Sequence, residues 1–379
     1  MSRIVRTFEA TLLEILGSRE LLSLAVISVL FYAFYYPAPY SQQQVQALPM
    51  VVVDRDDTPL SRAIVRGLGD TRSVRIVGRV PDMAAARQAV RQRRADGILY
   101  FSKGLGAAAL AGRPGSGVAL IINGAYFVRA EGIARALGDV VADEAQQLGG
   151  AISVTGGFDP GRLIVAQPLF NTTGGYRDYV FPAIVNIILQ QTLLFAAARL
   201  IAERRRRGVW RRGAVEAIGS WVALTLIGIL AGLFVFGFAF WAQDVPRAGN
   251  VSGLIIALPL FAAAVSAAGL AIGSLFRDGD DALKLLMPTS VPLVFLAGFA
   301  WPLDEMPRWL AALAWLSPAT AAMHLFVRFN QMGASIAEAS GPLAVMAGLA
   351  GAYGLWWMAR NIRHGQRRAR APARLPDGL

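Results

Sequence analysis

Six stretches of the chain, 21–38, 180–202, 216–241, 253–276, 285–301 and 342–359, are apolar around the whole helical circumference and carry almost no charge. A run of ~20 apolar residues rising ~1.5 Å each crosses a ~30 Å hydrocarbon core, so each stretch is expected to be a transmembrane helix. Between the first two, residues 41–179 follow a different pattern of short apolar runs separated by turn residues. Met50–Asp54, Val74–Val77, Gly97–Phe101 and Val118–Ile122 read as strands. Helices are expected from Pro59, capped by Asp57 or Thr58, over Asp82–Gln92, and over Tyr126–Leu148, where Phe127, Ile133, Leu137, Val140 and Val141 recur at roughly helical spacing. Strands alternating with helices argue for a small α/β domain with a largely parallel sheet. The fold class is thus an α-helical membrane protein of six transmembrane helices with an inserted extracytoplasmic α/β domain.

The flanks complete the pattern. In residues 1–20, Arg3, Arg6, Glu9, Glu14, Arg19 and Glu20 alternate with Ile4, Phe8, Leu12, Ile15 and Leu16, which fall on one helical face. This segment is expected to lie along the membrane interface. The alternative, a signal-peptide n-region, is disfavoured by its acidic residues and by the lack of a small-x-small cleavage site after the apolar run. Tyr32, Tyr35, Tyr36 and Tyr40 form an aromatic belt at the far end of the first span. Residues 302–341 are an outer segment holding the amphipathic stretch PRWLAALAWL, and residues 361–379 are a basic tail.

Charge sets the orientation. The second span runs into Arg204, Arg205, Arg206 and Arg207, with Arg211 and Arg212 close behind, and such a cluster marks the cytoplasmic side. With the second span ending inside, both termini are cytoplasmic and residues 41–179 lie outside. The segments then assigned to the inside hold eighteen Arg and Lys, against Arg247, Arg308 and Arg328 in the short outer loops. Six spans with both ends cytoplasmic are expected.

Composition agrees. The chain of 379 residues is 55% hydrophobic and 16% charged, with a mean hydropathy of +0.46, whereas soluble domains are ~25% charged. The net charge of +12 does not point to nucleic acid. Residues 41–178 hold sixteen Arg and Lys against twelve Asp and Glu, and the rest of the excess flanks the spans, where it serves orientation and attraction to anionic lipid. There are no cysteines, hence no disulfide, thiolate metal site or cysteine nucleophile.

Enzymatic chemistry finds no residues to carry it. His324 and His364 are the only histidines, no serine sits in a Gly-x-Ser-x-Gly elbow, and the two lysines, Lys103 and Lys284, follow no Gly-rich phosphate loop. Asp54, Asp56 and Asp57, and likewise Asp278, Asp280 and Asp281, read as turns that start helices rather than as metal clusters. No catalytic, cofactor or metal site is expected. Asn186, Gln190 and Gln191 are the main polar residues deep in a span; they either line a translocation path or serve as hydrogen-bonded glue between helices. Gly228 with Gly232, and Gly269 with Gly273, are small-xxx-small pairs for close helix approach.

Several motifs together resemble the permease subunits of ABC exporters of the type-2 superfamily, in the branch with a large extracytoplasmic domain after the first span. They are VVVDRDDTPLSRAIVRGL, VRIVG followed by AAARQAVRQRRADGILYFSKGL, LFNTTGGYRDYVFPAIV, and FLAGFAWPLDEMPRWLAALAWLSPATAAMHLF. In the family the last kind of segment forms a short re-entrant or interfacial helix pair after the fifth span. The resemblance implies a half-channel that pairs with a second permease subunit, identical or paralogous. It also implies coupling to a separate cytoplasmic ATPase, and such exporters often work with a periplasmic membrane-fusion protein. The family's coupling helix follows the second span with a Glu-Arg-Gly-Thr core. Here Arg207-Gly208 aligns, Arg206 stands where the acidic residue is expected, Val209 replaces Thr, and the linker to Glu216 is several residues shorter. By resemblance, ATPase coupling falls to Glu203, Arg204, Arg207, Gly208, Arg211 and Arg212.

The expected function is the transmembrane subunit of an ATP-driven exporter of a hydrophobic or amphiphilic compound, drug-like or lipid-like. The alternative is a non-transporting membrane receptor or scaffold whose outer domain binds a ligand or partner; six spans exceed what an anchor requires. A secondary transporter is disfavoured because its ion relay needs ionisable residues that these spans lack.

Overall fold

In the computed structural model, which describes residues 2–40, 47–92, 94–105, 118–122, 138, 140, 176–210, 213–247 and 249–369, the apolar stretches fold as helices and the intervening segment as a small sheet. The chain opens with α1 (Arg3–Gly17) and α2 (Arg19–Tyr40). Next come β1 (Leu48–Asp54), α3 (Pro59–Asp70), β2 (Val74–Arg79), α4 (Met83–Arg91), β3 (Gly97–Phe101) and β4 (Val118–Ile122). The remaining helices are α5 (Tyr176–Arg206), α6 (Ala214–Ala242), α7 (Val251–Gly273), α8 (Gly279–Leu286), α9 (Ser290–Leu296), α10 (Arg308–Ala314), α11 (Pro318–Asn330) and α12 (Ser340–Ala369). Two compact units result, Met1–Ser41 with Gly175–Leu379, and Gln42–Gly174.

In the helical unit, α2, α5, α6, α7 and α12 are long and apolar enough to cross a membrane. The apolar window of α5 is 89% buried, against 22% for α12, so α5 is the axis on which the others pack. Small residues allow the closest approach. A Cβ on Gly269 of α7 would stand 2.7 Å from the Leu194 carbonyl oxygen and the Ala197 Cβ of α5, too close for any side chain. In α2 and α6 the backbone passes through single π turns at Ser23–Ile27 and Phe234–Ala239.

The expected fifth span, 285–301, is not one helix. Its residues are divided among α8, a 3-10 turn at Met287–Thr289 and α9, after which Gly298, at φ +92°, turns the chain. Pro288 and Pro292 explain the breaks, since neither can donate a backbone hydrogen bond. Within the expected outer segment, α10 and α11 meet at an 80° bend, and the two count as a sixth crossing only if taken as one broken span. Most of α11 is buried; the Phe326 ring stacks edge-on to Phe261 of α7 at 5.7 Å and lies 4.6 Å from Phe236 of α6.

The expected apolar stripe of α1 is also redistributed. Thr11 and Ile15 are fully buried, whereas Leu13, Leu16, Ile4 and Val5 stay exposed. α1 packs on α6 through a partly polar seam that includes Thr11, and Ile15 is its one fully buried apolar residue.

In the other unit, β1 lies between β2 and β3, parallel to both, and β4 pairs antiparallel with β3, giving the order β2-β1-β3-β4. Strands covered on both faces read as continuous apolar runs, as VVV in β1 does. Met50, Val52, Leu99 and Phe101 face Ile64, Val65 and Leu68 of α3, while Val51, Val53 and Ile98 face Ala86 and Ala89 of α4. The acidic turn after β1 is knitted to backbone: Asp54 accepts from the N–H of Asp56 (3.0 Å) and Asp57 (2.9 Å), and Asp56 from that of Gly104 (2.8 Å). Thr58 caps α3 and exchanges hydrogen bonds with Ser61. The helix expected over Tyr126–Leu148 lies, but for Gly138 and Val140, outside the described residues.

Candidate functional site

The arginine run at the end of α5 bonds to several neighbouring helices of the helical unit. Consecutive residues on a helix point ~100° apart, so four arginines in a row reach different neighbours. Arg204 turns to α1 and α6: its guanidinium donates to Glu14 (2.8 Å), Thr11 Oγ1 (2.8 Å) and Ser220 Oγ (2.8 Å). Arg205 donates to the Ser274 carbonyl oxygen, as does Arg360 of α12 (2.9 Å). Two cations thus meet the last turn of α7, where free carbonyls concentrate negative partial charge. Arg206 pairs with Glu203 (2.8 Å) and approaches Asp278, the cap of α8, at 3.8 Å. Arg207 stands 3.8 Å from Glu203 and 4.0 Å from Glu14, with its side chain 54% exposed.

Of the residues assigned to coupling, Glu203 and Arg204 are therefore turned inward, Arg204 joining α5 to α1 and α6 and Glu203 pairing with the arginines that follow it, whereas Arg207 and Gly208 are exposed. Gly208 adopts φ +70° and ends α5, its N–H bonding back to the Arg205 carbonyl (3.1 Å). Arg211 and Arg212 lie outside the described residues. One turn earlier, Arg199 bridges Glu20 of α2 and Asp280 of α8, both at 2.6 Å. The guanidinium beside it holds the Asp280 carboxyl below the ordinary carboxylate range.

Beneath α1 lies a cavity of ≈ 630 Å³. Arg3, Arg6 and Glu14 of α1 line one side, and Arg204, Trp210 and Trp357 line the other. Glu216 pairs with Arg3 at 3.1 Å, the Trp357 indole donates to the Ala217 carbonyl (3.0 Å), and the Trp210 indole to Asn361 (3.3 Å). Sequence reasoning missed Thr11, Ser220, Ser274 and Asn361, and had Glu14 only as one of the alternating charges of residues 1–20. The available signal was their polarity: Thr11 and Ser220 are hydroxyls in seams that are otherwise apolar or small.

The three polar residues in the second span are all buried. Asn186 donates to its own helix, to the carbonyls of Pro182 (2.7 Å) and Ala183 (3.0 Å). Gln190 accepts from the Ala319 N–H (2.6 Å) and Ser317 Oγ (3.1 Å), so a side chain of α5 caps the first turn of α11. Gln191 donates to Ser290 Oγ (2.8 Å) and holds the start of α9. Gln190 and Gln191 thus each bond to another element of the helical unit. Asn186 Oδ1 and Gln191 Oε1 are buried with no hydrogen-bond partner among the described residues.

Comparison with known proteins adds the family. Residues 19–358 match the profile of the ABC-2 family transporter proteins. Among curated proteins, the chain is 22% identical over 162 residues to the probable multidrug ABC transporter permease YbhR of Escherichia coli (strain K12), covering 41% of this chain and 44% of that one. It is 24% identical over 175 residues to the probable multidrug ABC transporter permease YbhS of the same strain, covering 43% and 45%. It is 23% identical over 174 residues to the linearmycin resistance permease protein LnrN of Bacillus subtilis (strain 168), covering 44% of each. The matched region spans less than half the length of each of these relatives. The family match, by contrast, runs from α2 into α12 through every helix described above except α1, and the chain belongs to the ABC-2 family of transporter proteins.

Proposed function

We propose that the chain is the transmembrane permease subunit of an ATP-driven exporter, moving a hydrophobic or amphiphilic compound, drug-like or lipid-like, outward across a bacterial inner membrane. Membership of the family over residues 19–358 carries this reading, joined to a chain whose sequence has no phosphate-binding loop of its own. ATP hydrolysis then belongs to a separate cytoplasmic subunit. A second permease subunit, identical or paralogous, completes the path, and a periplasmic membrane-fusion protein extends it. The substrate class agrees with the multidrug and linearmycin-resistance names of the relatives and with spans nearly free of ionisable side chains.

Both termini are cytoplasmic in this reading and residues 41–179 lie outside. Arg207, Gly208, Arg211 and Arg212 meet the ATPase, while Arg204 holds that turn against α1 and α6 and Glu203 pairs with Arg206 and Arg207 behind it. Asn186 and Gln191, each with a carbonyl oxygen unpartnered among the described residues, contribute hydrogen-bond acceptors to the translocation path, and Gln190 positions α11 beside it. Purified chain in liposomes, assayed with the ATPase encoded beside its gene, tests the proposal. Stimulated ATP turnover is expected; an ATPase that neither binds the chain nor changes its turnover contradicts it.

A further inference from the structure

The cavity beneath α1 has the position, charge and size of a lipid headgroup site. We infer that it holds the phosphate headgroup of an anionic phospholipid of the cytoplasmic leaflet. The inference takes the orientation proposed above but no part of the transport activity.

Position comes first. α1 seats Thr11 against Ser220 of α6, buries Ile15, and leaves Leu13 at 70% and Leu16 at 57% exposure. A helix with a protein-bound seam and an exposed apolar side lies at headgroup depth. The cavity between α1 and the ends of α5, α6 and α12 therefore opens at the level of the phosphates.

Charge follows from which groups are already paired. Both carboxylates in the wall are engaged, Glu216 with Arg3 and Glu14 with Arg204. Arg6 lines the same cavity, is exposed, and has no carboxylate partner among the described residues. The lining thus carries one uncompensated positive charge, and Arg3, 71% exposed, has guanidinium N–H groups left to donate. A phosphate monoanion satisfies both.

Size and wall chemistry favour a headgroup with its glycerol over a bare ion. A volume of ≈ 630 Å³ is that of an organic-ligand cleft. Ile201, Val209 and the rings of Trp210 and Trp357 give it an apolar side, and tryptophan is the residue most at home at this depth. A soluble phosphate ester shares the headgroup chemistry but has no acyl chains to lay against the exposed leucines of α1.

The test uses the full chain in nanodiscs of phosphatidylglycerol and phosphatidylcholine in equal parts, with retained lipid weighed by native mass spectrometry. Preferential retention of phosphatidylglycerol is expected. Arg6→Gln should lower it about fivefold, the equivalent of ~1 kcal/mol per arginine at an anionic surface. Ala10→Phe, which places a ring at the cavity wall without changing charge, should also lower it, and intrinsic tryptophan fluorescence should show both variants folded. Glycerol phosphate added in excess should not displace the lipid. Equal retention of the two lipids, retention unchanged in either variant, or displacement by glycerol phosphate overturns the assignment. Unchanged retention with weakened ATPase binding would give the cavity to the protein partner instead.

Discussion

Arg204 takes partners from two other helices with one guanidinium, and its removal leaves Glu14, Thr11 and Ser220 without their shared donor. Hydrogen bonds to charged groups contribute ~1.5–3 kcal/mol, so Arg204→Ala should cost about 2 kcal/mol, read as a lowered unfolding midpoint in detergent. Arg207→Gln, at a side chain 54% exposed and at least 3.8 Å from its carboxylates, should leave that midpoint unchanged. Equal losses in the two variants would contradict the division between inward clamp and outward surface. Asp280 gives a pH test. Its folded pKa lies below the ordinary 3.8 because Arg199 donates to its carboxylate. A depressed acid stabilises the fold above its unfolded pKa and loses that effect as pH falls through the folded value. Asp280→Asn should therefore melt below the wild type at pH 7, and the gap should close only below about pH 4.

At the scale of elements, the account turns on how α5 holds the interrupted half of the helical unit. Gln190 caps α11 and Gln191 holds α9, so the two amides fasten the pieces on either side of the Gly298 turn. Gln190→Leu should leave the buried Ala319 N–H unpaired, costing ~1–3 kcal/mol and loosening α11 first, visible as faster amide hydrogen exchange over Pro318–Asn330. Uniform exchange across all helices in that variant would count against a local cap. The long helices were legible in the sequence because a bilayer imposes one pattern, a continuous apolar run, and the sheet was legible as short apolar runs bounded by turn residues. The broken stretch at 285–301 was not, since hydropathy averages over Pro288 and Pro292 while the backbone does not. The polar seam of α1 was hidden for a related reason: Thr11 is buried by a partner, Ser220, more than two hundred residues away.

For the whole molecule, the sequence motifs named the family before any contact was known, but they placed Glu203 and Arg204 on a coupling surface, whereas the structure turns both inward. A stop signal and an interhelical clamp demand the same residue type, so composition could not separate them. Orientation is open to direct measurement because the chain has no cysteine of its own. Single cysteines at Ser2 and Arg247 should react with a membrane-impermeant maleimide from opposite sides of sealed vesicles; labelling from the same side would overturn the topology. The central claim, that this chain moves an amphiphile outward at the expense of ATP hydrolysed by a partner, is tested most directly in one assay. The purified chain and its ATPase are placed in inverted vesicles, and accumulation of a fluorescent amphiphile in the lumen is followed with ATP, with a non-hydrolysable analogue, and with ATP plus an uncoupler. The account predicts accumulation with ATP that is abolished by the analogue and untouched by the uncoupler; accumulation that needs no ATP, or none under any condition, would contradict it.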